Sequence, residues 1–237
     1  MSFDFGVAPE AVVEAGGVFK NPELGDHSAR LKSLIHFGIF REEYKGVKKK
    51  PCPQVLAVFE LKDDTDFEED GVTPLLLHKS FPLKKGEKAF MTKFLSALDP
   101  QSKAKGFDDL IGAACTVNVK GSKVLNDDGS PKYVNFGGIS GLPAKFASMI
   151  DPLVGGGVGH VRFDDMTKEA VLEMNPILDV AFVLEKGEQY EGSVAQEIVQ
   201  GIRKDNPEFA VYKPTKGTES KPTATKVETN LTEEEEF

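Results

Sequence analysis

The sequence predicts a mainly β protein: a small five-stranded barrel carrying an inserted helix, a C-terminal helix and a disordered acidic tail. Three observations predict it. Apolar and polar residues alternate in several short runs, the period of a strand with one buried face. Gly, Pro and Asp clusters punctuate those runs at hairpin spacing. Helical periodicity is confined to KKGEKAFMTKFLSAL and SVAQEIVQGIRKDN.

The first strand is expected within residues 29–44, ARLKSLIHFGIFREEY, with Leu31, Ile35, Phe37 and Ile39 on one face and Arg30, Lys32, His36 and Phe40 on the other. KGVKKKPCP breaks the run, and QVLAVFEL (54–61) resumes it, an antiparallel hairpin with a lysine-rich connection. LLLHKSF (75–81) supplies a third strand. In the segment after it, Phe90, Phe94 and Leu98 recur at i, i+4 and i+8, one face of a helix. AACTVNVKG (113–121) and KYVNFGGI (132–139), separated by DDGS, form a second hairpin. In residues 142–185 the glycine-rich GGGVGH precedes a short strand, GHVRF, and NPILDVAFVLEKG is rich in β formers. Residues 193–206 are expected to be helical, with Val194, Ile198 and Ile202 in register and Asn206-Pro207 ending the helix. Short strands in hairpins, with one inserted helix, make an OB-fold barrel the leading candidate, which periodicity alone does not separate from a β-sandwich. The domain is expected to span 1–213. From Pro214 the chain is polar and too poor in apolar residues to offset its ordering entropy, so 214–237 is expected to be a disordered tail.

The 237 residues are 40% hydrophobic and 28% charged, and no run approaches the ~20 apolar residues of a membrane helix. MSFDFGVAPEAVVEAGG lacks a basic and an apolar segment of signal type, so a cytoplasmic location is expected, with Cys52 and Cys115 as reduced, packed thiols. The formal charge of −9 argues at first against a polyanionic partner, but its distribution matters more. Residues 30–50 hold seven basic side chains against Glu42 and Glu43, and residues 79–105 hold seven lysines against Glu87 and Asp99. The acidic ELKDDTDFEED lies between them.

Few motifs point to catalysis. GGGVGH (Gly155 to His160) lacks the Lys-Ser/Thr and the strand-loop-helix setting of a phosphate loop, and reads as a flexible turn. The acids from Asp63 to Asp70 have the carboxylate oxygens that a hard divalent cation prefers, but they do not follow EF-hand spacing, and a solvated loop is the favoured reading. The four histidines and two cysteines show no close metal-ligand spacing, and no nucleophile signature is present. The expectation is a binding protein, with no enzyme activity, cofactor or metal. YKGVKKK (Tyr44 to Lys50) follows a strand whose polar face carries basic and aromatic side chains. Lysines can follow a phosphate backbone while rings stack on bases, which is what sequence-tolerant single-strand binding requires. Tyr133 and Phe136, beside Lys132, are candidates to extend that platform or to pack in the core.

The chain closes on TNLTEEEEF, four glutamates and a terminal ring. A basic and aromatic barrel joined by a polar linker to an acidic terminus ending in Phe resembles the single-stranded-DNA-binding proteins of bacteria and, more closely, of bacteriophages. The order of HSARLKSLIHFGIF, FELKDD, DLIGAACTVNV and YVNFGGI is similar to phage OB-fold proteins over about residues 11–140. The resemblance implies a protein of DNA replication, recombination and repair that coats single-stranded DNA without turnover. Its DNA contacts would come from Arg30, Lys32, Arg41, Tyr44, Lys45, Lys48, Lys49, Lys50, Lys84, Lys85, Lys132 and Tyr133. Glu233, Glu234, Glu235, Glu236 and Phe237 would recruit a DNA polymerase or helicase-primase, and the unoccupied tail would compete with DNA for the basic groove. The expected partners leave room for a homodimer and include no membrane. Two other classes stay open: a protein-interaction or virion component with a solubilising tail, and a hydrolase on an all-β scaffold.

Overall fold

A computed structural model describes residues 20–206 except 42, 45, 127–128 and 179–183. Its centre is a curled antiparallel sheet of β1 (Gly25–Phe40), β4 (Cys52–Leu61), β5 (Leu76–Pro82), β6 (Ala114–Gly121) and β7 (Val134–Gly141) in the order β5-β4-β1-β6-β7. The two-residue strands β2 (Glu43–Tyr44) and β3 (Val47–Lys48) pair as a small hairpin between β1 and β4. The order and the helix between β5 and β6 are those of an OB-like barrel. Among the described residues no ladder joins β5 to β7, so the sheet is a half-barrel. Helix α1 (Phe90–Leu98) fills the gap with aromatic rings: Phe90 lies 4.8 Å from Phe81 and 5.6 Å from Phe136, centroid to centroid. The i, i+4, i+8 face expected of this helix is the one that packs, with Phe94 and Leu98 buried.

The inner core gathers Leu31 and Leu34 of β1, Phe59 of β4, Phe81, Phe94 and Val117. A second core lies on the other side of the same strands. There Ile35 and Phe37, with Leu56 and Val58 of β4, are covered by α3 (Lys168–Leu178) and α4 (Val194–Asp205). Thus Leu31 and Ile35 do not share a face, as strict alternation predicted. A bulge between Leu31 and Ser33 inserts one residue and inverts the parity downstream, and a second bulge precedes Gly38. Phe40, expected beside Arg30 and Lys32, packs against Phe37 at 5.4 Å and belongs to the second core.

Residues 142–206 therefore provide a lid for the outer face. The region includes the short α2 (Ala144–Ala147) and β8 (Gly159–Val161), which pairs in parallel with Ser33–Ile35 where β6 has left β1 at Arg30. Helix α3 runs through Asn175 to Leu178, where β formers had suggested an extended chain. Ala170, Val171 and Met174 recur at helical spacing and are fully buried, and that burial decides the conformation. In α4 the buried stripe is Ala195, Val199 and Ile202; Val194 is exposed. Ser193 caps this helix, its hydroxyl accepting the Gln196 amide at 3.2 Å.

Glu60, on the lid side of β4, is fully buried. It forms an ion pair with Lys62 at 2.5 Å and accepts hydrogen bonds from Lys32 at 3.3 Å and the Val154 amide at 2.7 Å. Two ammonium groups and one amide compensate the carboxylate's lost hydration, and the amide ties the lid to the sheet. Cys52 and Cys115 are buried free thiols, and burial pushes Cys115 up to about 12. No helix among the described residues is long and apolar enough to cross a membrane.

The glycine-rich GGGVGH passes directly over the first bulge. A Cβ on Gly157 would stand 2.6 Å from both Lys32 Cγ and Ser33 Oγ, whereas one on Gly156 would meet nothing within 4 Å. Close packing over β1 therefore accounts for Gly157. Gly157→Ala should cost about 1–3 kcal/mol by overpacking, while Gly156→Ala should stay within about 0.5 kcal/mol of wild type. Urea midpoints of the two variants check this, and equal midpoints contradict it.

Candidate nucleic-acid interface

The twelve side chains singled out for DNA contact do not form one continuous face. Arg30 sits where β6 gives way to β8, and its guanidinium donates to main-chain carbonyls: Nε to Asp151 at 2.7 Å, Nη1 to Gly112 at 2.6 Å and Nη2 to Ile150 at 2.6 Å. This fork pins the lid to the strand junction and leaves little donor capacity for phosphate. Lys32 is committed to Glu60. The resemblance put both residues on the DNA-facing surface; the bulge and the lid take them into the fold instead. Arg41 pairs with Glu188 at 2.8 Å, both partly exposed.

The remaining cations gather at the two ends of β1. At its C-terminal end Lys48, Lys49 and Lys50 are exposed on the β2-β3 hairpin and the turn after it. Lys84 and Lys85 lie at the same end of the sheet, because Leu83 donates its amide to the Pro53 carbonyl at 2.9 Å. Tyr44 belongs to β2, while its side chain, like Lys45, is outside the described residues. At the N-terminal end of β1 the β6-β7 hairpin carries Lys132 and Tyr133, with the Lys132 ammonium 5.6 Å from the Tyr133 ring centroid. Tyr133 is 55% exposed. Phe136 takes the core alternative, stacked on Phe59 at 5.6 Å. The acidic ending, Glu233 to Phe237, lies outside the described residues.

Two further lysines, Lys120 and Lys123, are exposed on this hairpin. They lie at the end of β6 and just beyond it, in a hairpin that the sequence already indicates, so their position was available as a signal. Between the two ends, the outer side of β6 and β7 is polar and close-packed: Asn118 donates to Asp26 at 2.7 Å, and a Cβ on Gly137 would lie 2.3 Å from Asn118 Oδ1. An open groove of about 660 Å³ between α1 and the 99–110 loop has Asp99 and Lys105 as its charged lining and does not extend the basic surface.

A histidine relay lies beside that groove. His36 Nε2 is 3.1 Å from His160 Nε2, and His160 Nδ1 is 3.1 Å from Asp108 Oδ2, with the Phe107 ring edge-on to both imidazoles. The carboxylate calls for a proton on His160 Nδ1, which makes His36 the donor between the rings. Burial first, then His160 and Arg162, push His36 down to about 4; burial alone pushes His78, on the lid side of β5, down to about 4. Sequence spacing could not show the relay, since its members come from β1, β8 and the turn before β6.

Both histidines titrate near 6.5 when unfolded and are held neutral in the fold. Their contribution is present above that value and is lost as pH falls towards 4. Each should cost the fold up to about 3 kcal/mol between pH 7 and pH 4. Urea unfolding of wild type and His78→Leu at both values checks this: the variant should lose less stability on acidification, and parallel losses contradict it.

No protein-family model matches the chain, and comparison with curated proteins and with solved structures gives no match.

Proposed function

We propose that this protein binds single-stranded DNA, coating it during replication and recombination, with the two basic ends of β1 as its contacts. The observation that carries the reading is the β6-β7 hairpin, where Tyr133 projects 55% of its surface outward beside an exposed Lys132. A ring left outside the core next to a cation is a platform for an unpaired base and its phosphate. Lys48, Lys49, Lys50, Lys84 and Lys85 would hold the backbone at the other end, with Lys120 and Lys123 extending the near end. An OB-like half-barrel with basic hairpins flanking its first strand supports this by fold-level analogy.

The acidic tail would act as handle and competitor. Glu233 to Glu236 carry charge of the same sign as DNA and can lie on the basic surface until a strand displaces them. Phe237 then offers a ring to a pocket on a DNA polymerase or helicase-primase. A second reading, a protein-interaction component that binds no DNA, draws on Phe146 and Met149, which are 54% and 71% exposed on and after α2.

A salt titration of binding to a 30-nucleotide single strand and to its duplex tests the proposal. Single-strand preference and affinity falling with salt are expected, at about 0.7 in log-log slope per phosphate neutralised. Replacing Lys48, Lys49 and Lys50 with Gln should reduce that slope by about 2, and Tyr133→Ala should weaken binding by about 1–3 kcal/mol with the slope unchanged. Absence of single-strand preference overturns the reading and favours the interaction component. For the tail, Phe237→Ala should leave DNA affinity nearly intact while weakening capture of the replication partner; the opposite pattern means that the ending has another role.

A further inference from the structure

We propose that His27, Asp63 and Asp66 form a binding site for a divalent transition metal of the zinc class. The three side chains come from the start of β1 and from the turn after β4, brought together where the Lys62 amide donates to the Ser28 carbonyl at 2.9 Å. His27 Nδ1 lies 2.9 Å from Asp66 Oδ2 and 3.6 Å from Asp63 Oδ2. The ligand atoms of the three residues lie within 4.8 Å of one another; 3.6 Å is the separation of neighbouring ligands around a tetrahedral ion with bonds of roughly 2.0–2.2 Å, and the 2.9 Å pair, at hydrogen-bond distance, would open by about 0.5 Å to admit it.

The tautomer of the ring is decided by its other nitrogen. His27 Nε2 lies 2.8 Å from the main-chain oxygen of Glu23, which can only accept, so Nε2 carries a hydrogen. A ligating histidine is commonly held this way, its far N–H on a carbonyl and its lone pair turned to the metal. In the neutral ring the Nδ1 lone pair faces two carboxylates, a repulsion relieved either by a proton on Nδ1 or by a metal cation between the three groups. A proton on Nδ1 serves one carboxylate oxygen only, Asp66 Oδ2. It leaves Asp66 Oδ1, on a side chain with no exposed surface, without any hydrogen-bond partner. That orphaned oxygen is a second sign of a missing ligand, independent of the proximity of the three groups.

The surroundings fix the turn in place. Asp66 Oδ2 accepts the Asp63 amide at 3.1 Å, Asp63 accepts the Ser28 amide at 3.3 Å, and the Lys20 ammonium is engaged by the Thr65 and Phe67 carbonyls. Asp63 keeps 41% of its side chain exposed, which provides an entry path and room for water as a fourth ligand. One imidazole nitrogen and two carboxylates suit zinc or a similar ion, whereas calcium takes six to eight oxygens. The bound ion would staple the acidic 62–75 turn to the beginning of β1. This is independent of the DNA reading.

Isothermal titration of the full, metal-stripped chain with zinc chloride, alongside thermal melting, tests the site. One ion per chain and a raised melting temperature are expected, with calcium giving neither. His27→Gln should abolish binding. Asp63→Asn, at the half-exposed ligand whose loss the fold tolerates best, should weaken it at least tenfold. His160→Gln, which removes the other histidine cluster, should leave it unchanged. No binding at 100 μM zinc, binding indifferent to Asp63→Asn, or binding lost in His160→Gln overturns the proposal.

Discussion

The structure depends on one constraint: β1 and β4 are apolar on both faces, so the sheet needs two covers. Leu56 and Val58 alternate with Val55, Ala57 and Phe59, and all five have no exposed surface. At about 1.5–3 kcal/mol for a fully buried Val, Leu or Phe, neither face could be left to water. The half-barrel and α1 close over one side, and α3 and α4 over the other. Glu60 is a buried charge at the seam, and its lysine and amide partners join strand, bulge and lid in a single buried network.

That second cover changes where a polymeric ligand can lie. OB-fold proteins commonly use the outer sheet face and the loops around it. Here the part of that face formed by β1 and β4 is occupied by the chain's own helices, so the accessible basic surface moves to the hairpins at either end of β1. Arg30 and Lys32, at the midpoint, become fasteners for the lid. Among the described side chains the division gives the two ends different chemistry, lysines at one and lysines with an exposed tyrosine at the other.

Much of the architecture was legible where a local pattern governs it. The β1-β4 hairpin, the phenylalanine stripe of α1 and the β6-β7 hairpin follow from residue spacing. The faces of β1 did not, because a bulge at Lys32 inverts parity without a Gly or Pro to mark it. NPIL at the end of α3 misled for the complementary reason: it opens a segment whose composition favours strand, and the helix owes its existence to Ala170, Val171 and Met174 packing on a surface formed more than a hundred residues earlier. Of the interface, the exposed lysines and Tyr133 could be read from hairpin position. The commitment of Arg30 to carbonyls at 112, 150 and 151 is purely tertiary, as are the meetings of His27 with Asp63 and Asp66 and of His36 with His160.

The central claim is that single-stranded DNA engages the two hairpin ends while the helical lid stays closed over the sheet. Hydrogen exchange of the full chain with and without a saturating 30-nucleotide strand measures this most directly. The account predicts added protection in 46–50 and 120–133, with the amides of α3, α4 and β4 unchanged. Faster exchange in α3 and α4 together with new protection along β4 and β5 would show that DNA displaces the lid and binds the sheet itself, contradicting the account.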